Sequence, residues 1–396
     1  MDRRIVLIGV LSILIIENRL SGQGLIGQDT TNRVITTAVP FLSITPDARA
    51  GGMADVGVAT SPDVNSLYWN AAKLVYCEEK NGFALSYTPW LGKIIDDMYI
   101  SYLSGYHKIT REQVIGFSMR YFDLGDIFFT GDNGEALGDF NPREFAFDAG
   151  YSRLLSEHLS IGVVLRYIHS NLTGSFASGG LDAQPGNTAA GDVGIYYTRE
   201  LMMSGKESDF SLGANISNIG GKITYSNEDN LDFLPTNLKM GTAYTTHFDP
   251  YNKITLALDL SKLLVPSPPL RDVNTNAIIR GKEDDRPMLS GVFGSFGDAP
   301  DGFREEIKEF MMSVAAEYWY NNSFAGRAGY FTENAMKGNR KYFTLGLGLR
   351  YQMFGIDFAY LVPQKQNHPL AETLRFTILI KFEDKETPEE EDSVTN

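Results

Sequence analysis

Apolar and polar residues alternate along most of the chain with a period of two. In residues 159–167, 343–351 and 374–382, a large apolar side chain occupies every second position. Successive side chains of a β-strand point to opposite faces, so each such segment forms a strand with one apolar face. The pattern predicts about fourteen strands, near residues 82–90, 97–107, 113–122, 144–155, 159–171, 190–201, 208–218, 236–248, 252–264, 310–321, 323–331, 341–351, 354–361 and 373–382.

The length of these segments separates two architectures. Several run for ten to thirteen residues, whereas strands of soluble proteins usually have about 5–6 residues. A tilted strand that crosses a membrane needs about 9–11 residues. Aromatic residues such as Tyr87, Trp90 and Tyr121 lie near segment ends, where the aromatic girdles of membrane barrels meet the bilayer interface. Strand length therefore favours a transmembrane barrel over a soluble sandwich or propeller.

The connections between the segments alternate in length. If the first strand runs outward, the outer loops include 123–143, 172–189 and 265–309, whereas inner turns such as 156–158 and 249–251 are short. Outer-membrane barrels have this asymmetry, together with an even strand number that leaves both termini in the periplasm. Closure also removes the sheet edge that lipid could not satisfy. The sequence predicts an all-β fold, a transmembrane antiparallel β-barrel of about fourteen strands over residues 82–382.

The segments before and after the barrel differ from it in composition. Arg3 and Arg4 precede an apolar run and then small residues, which is typical of a secretory signal peptide, assigned to residues 1–23. Residues 24–81 do not alternate, and we expect them to fold into the lumen as a plug, since a wide barrel encloses space that its own side chains do not fill. A small periplasmic subdomain is the alternative. Residues 383–396 are acidic, which predicts a disordered tail.

Composition excludes several classes of protein. The 35 Lys and Arg against 49 Asp and Glu give a net charge of −14, so a nucleic-acid partner is not expected. Beyond the N-terminus no apolar run approaches the roughly 20 residues of a membrane-spanning helix. Cys77 is the single cysteine, which excludes an intramolecular disulfide and a cysteine-rich metal site. We expect neither a metal site nor a bound cofactor.

Three stretches near the N-terminus carry a resemblance. They read Val-Pro-Phe-Leu at 39–42, Pro-Asp-Ala-Arg-Ala-Gly-Gly-Met at 46–53 and Trp-Asn-Ala-Ala-Lys-Leu at 69–74. They resemble the PorV (LptO) family, outer-membrane components of the type IX secretion system of Bacteroidetes and relatives of the fatty-acid transporter FadL. The family's Asn-Pro-Ala reads Asn-Ala-Ala at 70–72 here. The plug motif implied by the resemblance consists of Phe41, Asp47, Arg49, Gly51, Gly52, Trp69 and Asn70.

The resemblance implies a non-enzymatic barrel surrounded by outer-membrane lipid. Such a barrel would work with the large translocon SprA (Sov), bind secreted proteins by their C-terminal signal domains, and pass them to the PorU attachment machinery. One alternative is a FadL-like transporter of hydrophobic small molecules. Another is a lipid A deacylase, but no nucleophile and base occur together for it. His169 and Ser170 superficially resemble the residues of outer-membrane phospholipases, yet they would point to opposite faces of a strand.

The connection over residues 265–309 is the longest one between predicted strands, and loops of this length are usually functional or disordered. It carries Val292, Phe293 and Phe296 among glycines. Apolar side chains on a polar loop suggest docking of a partner or cargo protein. Alternatively, Phe293 and Phe296 cap their own barrel. The sequence leaves both readings open.

Overall fold

The computed structural model describes residues 33–91, 97–130, 133, 136–172, 184–203, 205–225, 231–272, 274–364 and 373–382. The predicted signal peptide (1–23), the first residues of the predicted plug (24–32) and the predicted acidic tail (383–396) lie outside these ranges. Within the described ranges, no helix has the length and apolar character needed to cross a membrane.

Fourteen strands form a closed antiparallel barrel. Each barrel strand pairs with the next one along the chain, and the first pairs with the last, with Asn81 opposite Phe382. The predicted fold is therefore confirmed, and the predicted segments match the barrel strands to within four residues at each end. The strands are β1 (Asn81–Pro89), β2 (Tyr99–Lys108), β3 (Gln113–Asp123), β4 (Ile127–Thr130), β5 (Ala136–Phe140), β6 (Arg143–Ser156), β7 (Leu159–Asn171), β8 (Gly186–Met203), β9 (Lys206–Gly220), β10 (Asn237–Asp249), β11 (Asn252–Leu263), β12 (Leu270–Arg271), β13 (Ile278–Arg280), β14 (Met311–Tyr320), β15 (Phe324–Thr332), β16 (Lys341–Tyr351), β17 (Phe354–Pro363) and β18 (Leu374–Phe382).

The remaining elements lie outside the barrel wall. The strand pairs β4–β5 and β12–β13 are small hairpins within predicted loops. Helical turns occur only in the N-terminal residues and in the long connection before β14, as far as the described residues go. They are η1 (Pro40–Ser43), α1 (Ala48–Gly51), α2 (Ser66–Trp69), η2 (Ala71–Tyr76), α3 (Met288–Gly294), α4 (Phe303–Glu306) and η3 (Ile307–Glu309). They are too short to give a helical period, so the sequence pattern did not predict them.

The connections alternate strictly in length around the barrel, as predicted. Six short turns join strands at one end, which we call the short-turn end, and the other end carries seven longer connections, which we call the long-loop end. The connection over residues 264–310, between β11 and β14, is the longest of them and is called the β11–β14 loop below. An antiparallel barrel with this parity places all seven longer connections on the same side.

The barrel wall is apolar on the outside and polar on the inside. On β7, Ile161, Val163 and Leu165 are exposed, whereas Ser160 and Arg166 are buried. This polarity is opposite to that of a soluble protein, in which exposed strand faces are polar. It is the polarity of a wall that faces lipid.

Residues 33–80, called the N-terminal segment below, pack against the inner face of the barrel. A Cβ atom added to Gly162 on β7 would lie 2.3 Å from the backbone nitrogen of Ala72, and one added to Gly213 on β9 would lie 2.2 Å from the carbonyl oxygen of Val58. On the far wall, a Cβ at Gly329 on β15 would lie 2.5 Å from the backbone of Met53. The segment therefore reaches across the lumen. Its predicted role as a plug remains a prediction.

The N-terminal segment begins at the long-loop end. The backbone nitrogen of Arg33 donates to the carbonyl oxygen of Met336, 2.7 Å away in the β15–β16 connection, and that of Ala38 donates to Phe233 in the β9–β10 connection. The two ends of the barrel sheet lie at the short-turn end, whereas residue 33 lies at the long-loop end. The reason is that the segment crosses the lumen once before it enters β1.

Candidate functional site

Asp47 links two parts of the N-terminal segment. One carboxylate oxygen accepts a hydrogen bond from the backbone nitrogen of Ala50 at 2.9 Å and so caps α1. The other accepts from the indole nitrogen of Trp69 at 2.7 Å. Burial, assisted by the charge of Asp63, raises the pKa of the Asp47 carboxyl to about 6. Two residues of the predicted motif, Asp47 and Trp69, are thus direct partners.

Arg49 ties the segment to the barrel wall. Its guanidinium makes a bidentate ion pair with Glu317 on β14, at 3.0 and 2.8 Å, and a further bond of 2.9 Å to Asp63. Although burial by itself lowers the pKa of Arg49, the two carboxylates raise it well above its ordinary value. Charge-assisted bidentate bonds are among the strongest hydrogen bonds in proteins. Arg49 therefore fixes the position of α1 in the lumen.

Gly51 and Gly52 allow α1 to approach the wall closely. A Cβ at Gly51 would lie 2.8 Å from Cδ of Arg375 on β18, and a Cβ at Gly52 would lie 2.9 Å from the backbone of Gly346 on β16. Real Cβ atoms do not approach other heavy atoms so closely. The Gly-Gly pair of the motif thus serves packing against the barrel.

Asn70 fixes the turn that carries Ala71 where the family has proline. Its side-chain oxygen accepts from the backbone nitrogen of Ala72, and its amide nitrogen donates to the carbonyl oxygens of Val58 and Ile195. Phe41, the last motif residue, is buried and stacks on Phe122 of β3. All seven motif residues therefore hold the segment together or attach it to the wall.

The inner face of the barrel carries two ion-pair networks that sequence reasoning missed. In the first, Arg166 bridges Asp148 and Asp192. In the second, Arg327 bridges Glu317, the partner of Arg49, and Asp357. Charged residues on the polar face of a strand that otherwise alternates were the available signal, because that face had to point into the lumen.

A cavity of about 580 Å³ lies in the lumen at the long-loop end. Its lining combines apolar side chains, such as Phe41 and Trp90, with charged ones of both signs, such as Arg340 and Glu333. A smaller cavity of about 120 Å³ lies deeper, beside Trp69. The larger one falls within the roughly 300–1,000 Å³ range of small-molecule sites.

Buried ion pairs hold the β11–β14 loop against the barrel rim. Lys262 of β11 pairs with Glu309 and, at 3.1 Å, with Glu306. Lys337 pairs with Glu305 at 2.7 Å and with Glu309 at 2.8 Å. Although burial raises the pKa of Glu309, Lys262 and Lys337 hold it below its ordinary value. Glu305 also binds Arg33 at 2.5 Å, so the start of the N-terminal segment is tied to the same cluster.

Several apolar side chains of this loop are exposed. Phe293 is 76% exposed and Phe296 is 48% exposed, whereas Val292 is 6% exposed and packs inside the loop. Docking by Val292, Phe293 and Phe296 stays a prediction, and the burial of Val292 means that the two phenylalanines present most of the exposed apolar area of the three. Sequence reasoning missed Phe303 and Ile307, which are 78% and 55% exposed. Their spacing of four residues, around the buried Glu305 and Glu306, was the signal for an exposed apolar side.

The family model described as type IX secretion system protein PorV matches residues 27–270, more than half of the chain. The chain belongs to the PorV family. No curated protein matches it. Membership of the PorV family confirms the predicted secretion family and the prediction that the barrel is not an enzyme.

Solved structures similar to this PorV-family chain are barrels. A TodX deltaS2S3 mutant monoaromatic hydrocarbon channel has a TM-score of 0.50 and 12% identity, covering 84% of this chain and 96% of its own. The Pseudomonas putida toluene transporter TodX has a TM-score of 0.47 at 12% identity, with 83% and 95% covered. A Pseudomonas aeruginosa FadL homologue has a TM-score of 0.44 and 10% identity, and the match covers 89% of this chain and 100% of the homologue. At such identities the likeness concerns the fold alone.

The groups considered for chemistry lie apart in this member of the PorV family. His169 faces outward and contacts Asn187, whereas Ser170 is buried in the lumen and donates to Glu144 at 2.6 Å. The described residues contain no group of three or more His, Cys, Asp or Glu placed to hold a metal ion. Burial raises the pKa of the Cys77 thiol to about 12, which keeps it protonated and unreactive.

Proposed function

We propose that this chain is an outer-membrane component of the type IX secretion system that binds secreted proteins by their C-terminal signal domains. In this proposal the long-loop end faces the cell exterior and receives cargo from the SprA (Sov) translocon. Cargo then passes to the PorU attachment machinery. Membership of the PorV family and the apolar outer wall support this placement.

The observation that carries the proposal is the exposed apolar surface of the β11–β14 loop. We call it the loop face and define it by Leu289, Phe293, Phe296, Phe303 and Ile307, all of them exposed. Exposed apolar patches on otherwise polar surfaces mark interaction sites. Because the buried pairs of Lys262 and Lys337 hold the loop in place, a partner would lose little free energy in ordering it.

The N-terminal segment inside the barrel favours binding outside the pore. Val58, Ala59 and Leu74 of the N-terminal segment are fully buried between the barrel walls. A folded signal domain would therefore contact the loops and not thread through the barrel. Apolar contact and strand-edge pairing are the means by which a β-rich domain would dock there.

The test is binding of an isolated C-terminal signal domain to the purified barrel, measured by biolayer interferometry. We expect Phe293→Asp to weaken binding by roughly thirtyfold, which is the effect of losing an interface hot spot of about 2 kcal/mol. Phe128→Asp is the matched control, because Phe128 is 78% exposed on the separate β4–β5 hairpin. Unchanged binding in both Phe293→Asp and Phe303→Asp would contradict the proposal.

A role in uptake of hydrophobic small molecules is the second candidate, and the 580 Å³ cavity favours it. Uptake would require a route past the part of the N-terminal segment that packs on Gly162, Gly213 and Gly329. Affinity purification from native membranes separates the two candidates. Recovery of a large translocon and signal domains supports secretion, and a bound hydrophobic molecule without them supports uptake.

A further inference from the structure

The exposed side chains at the short-turn end differ between two halves of the barrel. On the half that runs from the β2–β3 turn to β9, four basic residues are exposed, and we call them the cationic arc: Arg111, Arg153, Arg199 and Lys206. On the half that runs from the β10–β11 turn to β17, the exposed residues are aromatic, and we call them the aromatic arc: Tyr251, Tyr320, Phe324, Tyr351 and Phe354. The two halves of this rim thus differ in charge.

The basic residues beside the aromatic arc point into the lumen. Arg350 alternates with the exposed Leu349 and Tyr351 on β16 and pairs with the buried Asp357 at 2.8 Å. Lys381 on β18 pairs with Glu79 of the N-terminal segment at 2.7 Å, and Lys253 on β11 alternates with outward apolar residues. As far as the described residues go, no Lys or Arg of this half points outward at the short-turn end. Only the cationic arc therefore offers positive charge to the surroundings of the wall.

Arg111 and Arg153 lie near each other without an anionic partner. Gln113, two residues after Arg111, lies directly opposite Arg153 in the pairing of β3 with β6, and side chains in such positions have Cβ atoms about 4.5–5.5 Å apart. The carboxylates of the adjoining turns, Glu112 and Glu157, form no ion pair with either guanidinium in the described part of the chain. Both guanidinium groups are therefore open to an anion from outside the chain.

An apolar surface continues directly from these two groups. Arg153 lies opposite Ile161 of β7, and Ile115, two residues beyond Gln113, is exposed on the same outer face. The Tyr151 hydroxyl, which donates to Gln113 at 3.0 Å, marks the boundary between the charged and the apolar part. A soluble anion would contact the charged part alone, and a zwitterionic lipid would bring a cation of its own towards the arginines. A lipid with one net negative phosphate group matches both parts.

We propose that the cationic arc binds anionic phospholipid in the membrane leaflet at the short-turn end, with the headgroup phosphate on Arg111 and Arg153. A guanidinium group can hold a phosphate by two parallel hydrogen bonds. The inference rests on the outer-membrane placement proposed above, in which this leaflet is the periplasmic one. The lipid lies on the outside of the wall, apart from both the luminal cavity and the loop face. Anionic lipid therefore collects along one half of the barrel, and the aromatic arc leaves the other half without this preference.

The test uses the full barrel in maltoside micelles and three probes: dioleoyl phosphatidylglycerol, dioleoyl phosphatidylcholine and glycerol 3-phosphate. Native mass spectrometry measures the affinity for each probe. We expect the double variant Arg111→Gln/Arg153→Gln to weaken phosphatidylglycerol at least tenfold, because each basic residue near an anionic lipid contributes a factor of about five. Phosphatidylcholine should bind the double variant and the wild type equally.

The matched control removes the same charge at the opposite end of the barrel. Lys282 lies in the β11–β14 loop and Lys341 begins β16 at the long-loop end, so Lys282→Gln/Lys341→Gln should leave the affinity for phosphatidylglycerol unchanged. Should the double variant at the cationic arc fail to fold, Arg153→Gln alone is expected to weaken phosphatidylglycerol about fivefold. Unchanged affinity in that single variant would then overturn the proposal.

Three further results would overturn the proposal. They are equal affinity of wild type and the double variant for phosphatidylglycerol, equal affinity of wild type for the two phospholipids, and binding of glycerol 3-phosphate as tight as that of phosphatidylglycerol. Failure of the proposed function gives different results. A barrel that stays monodisperse without detergent would contradict the membrane placement, and signal-domain binding, measured in parallel, tests the loop face alone.

Discussion

The N-terminal segment and the β11–β14 loop are held in the same way and differ in what they present. Arg49 fixes the segment through Glu317, and Lys262 fixes the loop through Glu309, each by a buried ion pair. Most of the segment is then buried, whereas the loop exposes Phe293 and Phe303. The comparison indicates that buried charge in this barrel serves attachment. In the function proposed above, recognition is left to the exposed apolar side chains of the loop that these ion pairs hold.

The largest expected effect comes from removing the attachment of the segment. Arg49→Met leaves the buried Glu317 and the partly buried Asp63 without this partner, and breaking a buried pair from one side costs about 3–5 kcal/mol. The free energy of unfolding is measured by urea titration in micelles. Arg271→Met is the control in the loop, because Arg271 forms exposed pairs with Glu283 and Asp284 and should cost less than about 1 kcal/mol. A loss of less than about 1 kcal/mol in the free energy of unfolding of Arg49→Met would contradict the view that this buried ion pair attaches the segment.

Two carboxylates of the segment are expected to give opposite pH dependences. The pKa of Asp47 in the folded protein, about 6, lies above its ordinary value of 3.8, so the folded state binds more protons between these pH values. The contribution of Asp47 to the free energy of unfolding is therefore complete below pH 4 and is lost as the pH rises through 6. The loss amounts to about 3 kcal/mol, because each unit of pKa difference corresponds to about 1.36 kcal/mol. Subtracting the Asp47→Asn curve of stability against pH from the wild-type curve isolates this term.

Asp63 is the control for the sign of that effect. Although burial alone would raise its pKa, Arg49 and Lys73 hold the pKa of Asp63 below 3.8. Its stabilisation is present above the ordinary pKa and is lost as the pH falls through the folded value. The difference curve for Asp63→Asn should thus slope in the opposite direction. Slopes of the same sign for the two variants would contradict the opposite pKa shifts of Asp47 and Asp63.

Close packing of the segment gives a smaller expected effect. Gly162→Ala places a Cβ 2.3 Å from the backbone of Ala72, and overpacking of this kind costs about 1–3 kcal/mol. Gly326→Ala on β15 is the matched control, because nothing lies within 4 Å of the added atom. Both substitutions replace glycine by alanine within a barrel strand. The difference between their free energies of unfolding therefore measures the cost of the clash with the N-terminal segment. Equal free energies of unfolding would mean that the segment moves away from the added methyl group without loss of stability.

The sequence predicts the wall better than the contents of the lumen. Alternation of large apolar residues with small or polar ones, as along residues 343–351, depends only on the period of a strand, which is local. Strands and loop parity could therefore be predicted. The partner of Arg49 is Glu317, 268 residues away, and no local pattern contains that pairing. The same holds for Gly51 against Arg375.

The smallest expected effect separates two neighbouring residues of the loop. Phe293→Asp should change the free energy of unfolding by less than about 0.5 kcal/mol, because the side chain is 76% exposed. Val292→Ala should cost about 1–3 kcal/mol, because Val292 is buried. Signal-domain binding should respond in the reverse order, weakened by Phe293→Asp and retained by Val292→Ala once the fraction folded is taken into account. If stability and binding changed together in both variants, the loop would act as one packed unit, and its support could not be separated from the surface it presents.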